Sequence, residues 1–291
     1  MVTTEQIHIR DPFVFVQDGL YYLYGTTDAD CWKGGATGFD AFVSHDLTHW
    51  RDGVRVFSPG KGFWGTENFW APEMHCWRGG YYLFASFKSP GRRRATAILR
   101  AGGPLGPFLP WGEDAVTPPE WECLDGTLHV DDCGKPWLVF CHEWVQAGGG
   151  TICARRLKED LSGAAGEAVT LFSASDAGWT RRVTHSSGIS GHVTDGPSMY
   201  RPACGGLWML WSSLTGSGYG IGLAVSESGG ILGPWRQQER AIFSADGGHG
   251  MIFTALSGIK YLAIHSPNQT PDERPLFLKV RERADGLEIT G

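Results

Sequence analysis

Charge is scarce in this 291-residue sequence: 19% of residues are charged and the formal net charge is −6. That balance leaves no electrostatic footprint for a phosphate backbone or an anionic lipid surface, so neither nucleic acid nor membrane is an expected partner. The one basic run, Arg92-Arg93-Arg94, follows Ser-Pro-Gly and reads as a solvated loop. No run of about 18 apolar residues is present, and the start lacks the basic and apolar segments of a signal peptide; a soluble, cytoplasmic protein is expected. Seven cysteines, odd in number and scattered without a Cys-x-x-Cys pair, suit reduced thiols rather than disulfides or structural zinc. Helix-period patterns with caps are nearly absent, which disfavours an α/β fold. The glycine series from Gly216 to Gly222 fails the dinucleotide fingerprint, because its context "YGIGLAV" alternates with period two as a strand does.

What the chain does have is 42 glycines and 16 prolines, with β-branched and aromatic runs of strand length between them. Many short strands are implied. In "DPFVFVQDGLYYLYGTTD" two such runs flank Gln17-Asp18-Gly19 and read as a hairpin. The hairpin returns four times, opened by Glu73, Asp125, Asp195 and His249, at spacings of 52 to 70 residues. Each spacing accommodates about four strands. "SHDLTHWRDG", "GGPLGPFLPW", "KEDLSG" and "SGGILGPWRQ" look like turns into an outermost strand. Units that cannot bury both sheet faces alone, repeated five times, predict an all-β, five-bladed β-propeller with four antiparallel strands per blade, as a single domain over residues 1–291.

In a propeller the first strand of each blade lines the central channel. The opening positions Asp11, Glu73, Asp125, Asp195 and His249 should therefore converge at one mouth. Acids are poor strand residues and costly to bury, so core packing does not account for four of them. Capping of tight Asx-type turns is the structural alternative. Convergent carboxylates suit glycosidic bond hydrolysis, which needs one protonated acid and one ionised base; a third acid can hold the donor protonated by like-charge repulsion.

Through Arg10-Asp11-Pro12, Trp70-Ala71-Pro72-Glu73, "LDGTLHVDDCGKPWLV", "DGPSMYR" and "GGHGM", the sequence resembles glycoside hydrolase family 43, the five-bladed propeller enzymes that include β-xylosidases, α-L-arabinofuranosidases and arabinanases. The resemblance implies that Asp11 is the general base and Asp125 the residue that orients the acid and raises its pKa. It implies inversion at the anomeric carbon, with carboxyls about 6.5–9.5 Å apart. The family histidine stands on the axis beside a calcium ion or a water, which makes His249 the candidate for either; no other cofactor is implied. The departure is at the acid. Where the family has Glu-Gly-Pro or Glu-Ala-Pro, this chain has Asp195-Gly196-Pro197, shorter by roughly 1.5 Å of reach.

Hairpin arithmetic offers a second acid. With the turn near Cys133 and Gly134, partners sum to about 267, which sets Asp125 opposite His142 and brings Glu143 to the same end. Asp195 and Glu143 are both candidates; the alternative for Glu143 is an outward position or an ion pair with an arginine. Among 13 tryptophans and eight tyrosines, Trp70 and Trp144 are placed near substrate, since sugars pack C–H faces on aromatic rings. Arg274 is a candidate clamp for hydroxyls or counter-ion of the acids, with a surface ion pair as the plain alternative. The expected activity is exo-acting removal of terminal arabinofuranose or xylose from plant-type oligosaccharides. Two other readings stay open: a sugar-binding propeller without its acid, and a five-bladed enzyme of fructan or phosphorylase type. The sequence does not set the oligomeric state.

Overall fold

A computed structural model describes residues 1–33 and 35–290. Five antiparallel sheets follow one another along the chain as the blades of a propeller. The first blade is built on Arg10–Gln17, Leu20–Thr26 and Phe39–Ser44. It is wider than expected, because the short strands Val2–Thr3, His49–Trp50 and Val54–Phe57 complete a six-stranded sheet. The second comprises Glu67–Trp77, Gly80–Ser89, Arg92–Ala101 and Leu109–Pro110. The third comprises Cys123–Val130, Pro136–His142, Thr151–Leu157 and Ala164–Ser173. Asp195–Tyr200, Leu207–Thr215, Gly218–Ser226 and Trp235–Gln237 make the fourth; Gly248–Thr254, Lys260–Ser266, Arg274–Arg283 and Gly286–Ile289 make the fifth. A small hairpin, Val183–Thr184 with Ser190–Gly191, is inserted between the third and fourth blades.

Strand periodicity explains how these sheets pack. Successive side chains point to opposite faces, so a strand apolar at every position can serve two neighbours at once. In Leu207–Thr215, Leu207, Met209 and Trp211 join the core shared with the third blade, while Trp208 and Leu210 join the core shared with the fifth. One such cluster fills each of the five interfaces. Between the fifth and first blades, Phe253 and Ala263 meet Leu23, Tyr21 and Trp50, which closes the ring. All seven cysteines are free thiols.

The first strand of each blade is interrupted at the same point. A bulge falls after Arg10, Trp70, Leu124, Asp195 and Gly248, and the next residue takes a left-handed backbone. These residues are Asp11 (φ 55°), Ala71 (φ 47°), Asp125 (φ 57°), Gly196 (φ 51°) and His249 (φ 46°). Four of the five carry a side chain in a region that costs an L-residue roughly 1–2 kcal/mol. Bulges re-aim side chains, and here they turn these residues toward the channel mouth.

Side chains of neighbouring blades take up the amides this exposes. Thr26 Oγ1 accepts from Ala71 N–H at 2.8 Å, Ser86 Oγ from Asp125 N–H at 2.8 Å, Ser212 Oγ from His249 N–H at 2.8 Å, and His265 Nδ1 from Asp11 N–H at 3.1 Å. Each acceptor lies on a second strand, opposite the residue that precedes its own blade's bulge. In the third blade that slot holds Cys141, whose thiol is a weak acceptor. The amide of Gly196 is instead taken by Asp125 Oδ2 at 3.0 Å.

Candidate active site

The bulge register corrects the set of equivalent positions. Asp11, Asp125 and His249 are equivalent, but Glu73 lies two residues beyond its counterpart Ala71, and Asp195 lies one residue before Gly196. Glu73 is buried against His75, with Oε2 at 3.2 Å from Nε2, and is not part of the cavity wall. Asp195 remains at the mouth, although it arrives from the pairing position rather than from the turned one.

A cavity of about 710 Å³ opens over this mouth, lined by Asp11, Asp125, Asp195, His249, Glu143, Trp70 and Trp144 among others. Its volume lies in the range of roughly 300–1,000 Å³ that holds drug-sized ligands. At its floor Asp11 Oδ1 lies 3.1 Å from His249 Nδ1, and the same nitrogen is 3.7 Å from Asp125 Oδ2. Thr26 Oγ1 donates to Asp11 Oδ2 at 2.7 Å. On the fourth-blade side, Tyr219 OH donates to Asp195 Oδ2 at 3.0 Å. Gly196 has no alternative here, since a Cβ would sit 2.5 Å from the His249 ring.

The electrostatics differ sharply among the three aspartates. Burial works to raise the pKa of Asp11, but His249, Arg10, His265 and the Thr26 hydroxyl outweigh it, and the net shift is downward. Asp11 is held as a carboxylate. Asp125 is pushed up to about 6 by burial, with the Asp11 charge adding to it against the pull of His249. Asp195 is pushed up to about 7, by burial first and then by the charges of Asp125 and Glu143, against His249 and Tyr219. Buried carboxylates that share a site separate in this way because they cannot all ionise together.

The histidines divide similarly. Burial disfavours charge on His249, yet Asp11, Asp125 and Asp195 together raise its pKa. His265 is driven down to about 4 by burial, against the pull of Asp11, and is neutral at physiological pH. A neutral ring accepting at Nδ1 carries its proton on Nε2, which faces Asn268 Oδ1 at 3.1 Å. Calcium takes six to eight oxygen ligands. Among the described residues no group of three or more His, Cys, Asp or Glu is disposed to hold a metal ion. His249 offers a ring nitrogen at 3.1 Å from Asp11 and 3.7 Å from Asp125, its pKa raised by these carboxylates, and this set does not form the all-oxygen cage that calcium takes.

Glu143 stands just past the second strand of the third blade, before the short helix Trp144–Ala147. The bulge at Asp125 shifts the hairpin register by a residue or two, pairing Cys123 with His142. Glu143 Oε2 accepts from Arg94 Nη1 at 2.9 Å. That guanidinium also stacks on Trp70, 4.3 Å from the ring centroid. The Trp70 ring is pinned by its Nε1–H donating to the carbonyl of Cys31 at 2.8 Å, and Trp32 meets it edge-on. Arg94 is thus no solvated loop residue: it lies in the strand Arg92–Ala101, 9% exposed. Trp144 lines the cavity against His185 of the inserted hairpin.

Arg274 is outside this group. It is spent on the backbone carbonyls of Glu5, Pro271 and Glu273, and the site's guanidinium beside the carboxylates is Arg10. Arg10 is buried, bound to Glu273 at 2.6 Å and to Asn268 at 2.7 Å. Sequence reasoning passed over Arg10, Thr26, Trp32, Arg94, Tyr219 and His265. Arg10 opens the Arg10-Asp11-Pro12 motif without a role being assigned to it there, and the period-two pattern of Arg92–Ala101 carried a signal for Arg94. Trp32, in a loop, carried none.

Comparison with known proteins places this geometry. The profile of the glycosyl hydrolases family 43 matches residues 5–287. The chain is 39% identical to a crystal structure described as an endo-arabinase from Bacteroides thetaiotaomicron VPI-5482, with a TM-score of 0.90 and 98% of each chain covered. It is 20% identical, at a TM-score of 0.67, to an exo-1,5-alpha-L-arabinanase from a bovine ruminal metagenomic library, covering 98% of this chain and 97% of the other; this second likeness is one of fold. An extracellular endo-alpha-(1->5)-L-arabinanase 1 from Bacillus subtilis (strain 168) is 22% identical over 147 residues, 47% of this chain and 44% of that protein. The match thus spans less than half of that curated relative.

Proposed function

Since the chain belongs to family 43 of the glycosyl hydrolases and is a hydrolase of glycosidic bonds, we propose that it cleaves arabinofuranosyl linkages in arabinan-type chains with inversion at the anomeric carbon. The observation that carries the reading is the opposite displacement of two carboxyls in one cavity, Asp11 buried and Asp195 half-buried: Asp11 is lowered and Asp195 raised to about 7. In this mechanism Asp11 takes a proton from the attacking water. Asp195 donates its proton to the departing glycosidic oxygen. His249 Nδ1 meets Asp11 at 3.1 Å and Asp125 at 3.7 Å, and Asp125 accepts the amide that follows Asp195; inversion, which needs room for a water beside the base, is the stereochemistry proposed for this floor.

Asp125 plays the modulating part, its charge helping to keep Asp195 protonated. His249 offsets the repulsion between Asp11 and Asp125. Glu143 is the weaker acid candidate, because it is engaged in an ion pair with Arg94 on the Trp70 side of the cavity, whereas Asp195 lies beside Asp125 and His249. Its pair with Arg94, lying over Trp70, is assigned instead to binding a neighbouring sugar. The ring supplies an apolar face and the ion pair supplies partners for hydroxyls.

Internal cleavage is favoured over the exo action expected from sequence. The cavity exceeds what one pentose fills, and a second depression shares Trp32 and Asn68 with it, leading on to Lys33 and Glu67. The name of the 39%-identical structure, an endo-arabinase, points the same way. Release of terminal pentose is the second reading, favoured by the hairpin whose His185 stands against Trp144, where a chain end would stop. Digestion of linear arabinan separates them: a ladder of oligosaccharides from the first minutes supports internal cleavage, and free arabinose alone supports terminal release. Absence of turnover on arabinan, xylan and a panel of aryl glycosides would favour a sugar-binding role.

A further inference from the structure

We propose that Tyr219 is the positioning residue of the proton donor: its hydroxyl holds Asp195 Oδ2 as an acceptor and so confines the transferable proton to Oδ1. This rests on the assignment of Asp195 as general acid.

The geometry is that of a placed group. Tyr219 is 4% exposed and lies near the start of the strand Gly218–Ser226, the third of its blade. Its backbone is tied at both ends, with N–H donating to Asp246 Oδ1 at 3.2 Å and the carbonyl accepting from Gly247 N–H at 3.0 Å. The ring lies near-parallel to His265, centroids 5.6 Å apart. Gly248 makes room for it, since a Cβ there would stand 2.8 Å from Tyr219 Cε1. Held by these contacts, the hydroxyl reaches Asp195 Oδ2 at 3.0 Å.

A phenol carries one proton to donate. Burial, then the charges of Asp195, Asp11 and Asp125, keep the Tyr219 hydroxyl protonated well beyond its ordinary range, with Arg10 the opposing charge. The hydroxyl is therefore a fixed donor, and a protonated Asp195 must present Oδ2 as its carbonyl oxygen. The groups facing Asp195 from the other blades are Asp125, His249 and Glu143. Of the site's hydroxyls, Thr26 serves Asp11, which leaves Tyr219 to select between the Asp195 oxygens. The device matters most for a short acid. A glutamate can swing its carboxyl through an extra torsion, whereas an aspartate must be aimed by its surroundings.

Tyr219→Phe deletes the hydroxyl and keeps the ring stacked. On arabinan oligosaccharides, whose leaving group needs protonation, kcat is expected to fall about 10- to 100-fold. On an aryl arabinofuranoside with a good leaving group it should change little, which also shows the variant to be folded. Because the lost hydrogen bond favoured the ionised acid, the alkaline limb of kcat/KM should move upward by about one pH unit. Equal losses on both substrates with an unmoved limb would reduce Tyr219 to a packing residue and overturn the proposal, as would unchanged kinetics on both. Asp195→Asn tests the underlying assignment separately: if that variant keeps the alkaline limb and full activity on oligosaccharides, the acid assignment fails, whatever Tyr219→Phe does.

Discussion

Asp125 Oδ2 accepts the backbone N–H of Gly196 at 3.0 Å, the one junction of the ring at which a first-strand carboxylate replaces a second-strand side chain. It thereby ties the third blade to the residue that follows Asp195. The substitution follows from Cys141, which occupies the slot that Thr26, Ser86, Ser212 and His265 fill in the other blades.

Cys141→Ser should undo this. A serine hydroxyl can accept from Gly196 N–H as Ser86 and Ser212 do for their neighbours, which frees Asp125 to rotate. The expected result is a fall in kcat of about 10-fold or more, with KM little changed, because a modest misplacement of a charged group is costly. Steady-state kinetics on arabinan oligosaccharides check it; wild-type kcat would show that Asp125 is held by other means.

The pH dependence of turnover should be bell-shaped. Activity requires Asp195 protonated, and that fraction falls as pH rises through about 7, so the alkaline limb lies near neutrality. Asp11 must be ionised, and its lowered pKa puts the acid limb below the usual carboxylate range. Asp11→Asn should lose about 10²–10⁴-fold in kcat, as should Asp195→Asn on substrates with poor leaving groups, with the alkaline limb gone. Rates measured from pH 3 to 9 decide both.

Glu143→Gln discriminates between the two acid candidates. With Glu143 in the wall formed by Arg94 and Trp70, the variant should raise KM several-fold and leave kcat within a few-fold. It should keep an alkaline limb, moved somewhat downward because the charge of Glu143 helps to raise the pKa of Asp195. A collapse of kcat would return the acid role to Glu143.

Stability should move opposite to activity in Asp195→Asn. A carboxyl whose folded pKa is raised above its unfolded value, near 3.9, destabilises the fold progressively as pH climbs from the unfolded value to the folded one, near 7, and fully above it. The amide removes that cost. Thermal melting should show a Tm several degrees higher than wild type at pH 8, shrinking toward nothing near pH 4. An equal difference at both pH values would mean that the gain is not electrostatic.

Much of this was legible in the chain. The repeated hairpins, from Phe13–Tyr24 to Met251–Ala263, are local patterns of strand period and turn residues, so counting them yields five blades before any contact is known. The first blade's extra strands were not countable, because Val2–Thr3 and His49–Trp50 are two-residue pieces that exist only through pairing with each other and with Ser44. The candidate acids were legible in kind and nearly in place. The errors, two residues at Glu73 and one at Asp195, both come from the bulge: motif spacing does not reveal which of two adjacent residues takes the left-handed turn. Arg274 was misplaced for a related reason, since distance along a hairpin does not say where a long side chain finds its partners.

By itself the sequence determined the all-β repeat, the number of blades and the supply of carboxylates at their openings, because each rests on short-range periodicity. Only the tertiary structure decided what those carboxylates are. That Asp11 is held ionised depends on His249, His265 and Thr26, and that Asp195 is pushed up to about 7 depends on its desolvation and on Asp125 and Glu143, groups that come from other strands and other blades. An ionisable group takes its character from the charges and solvent around it, and those are assembled by folding rather than by order along the chain.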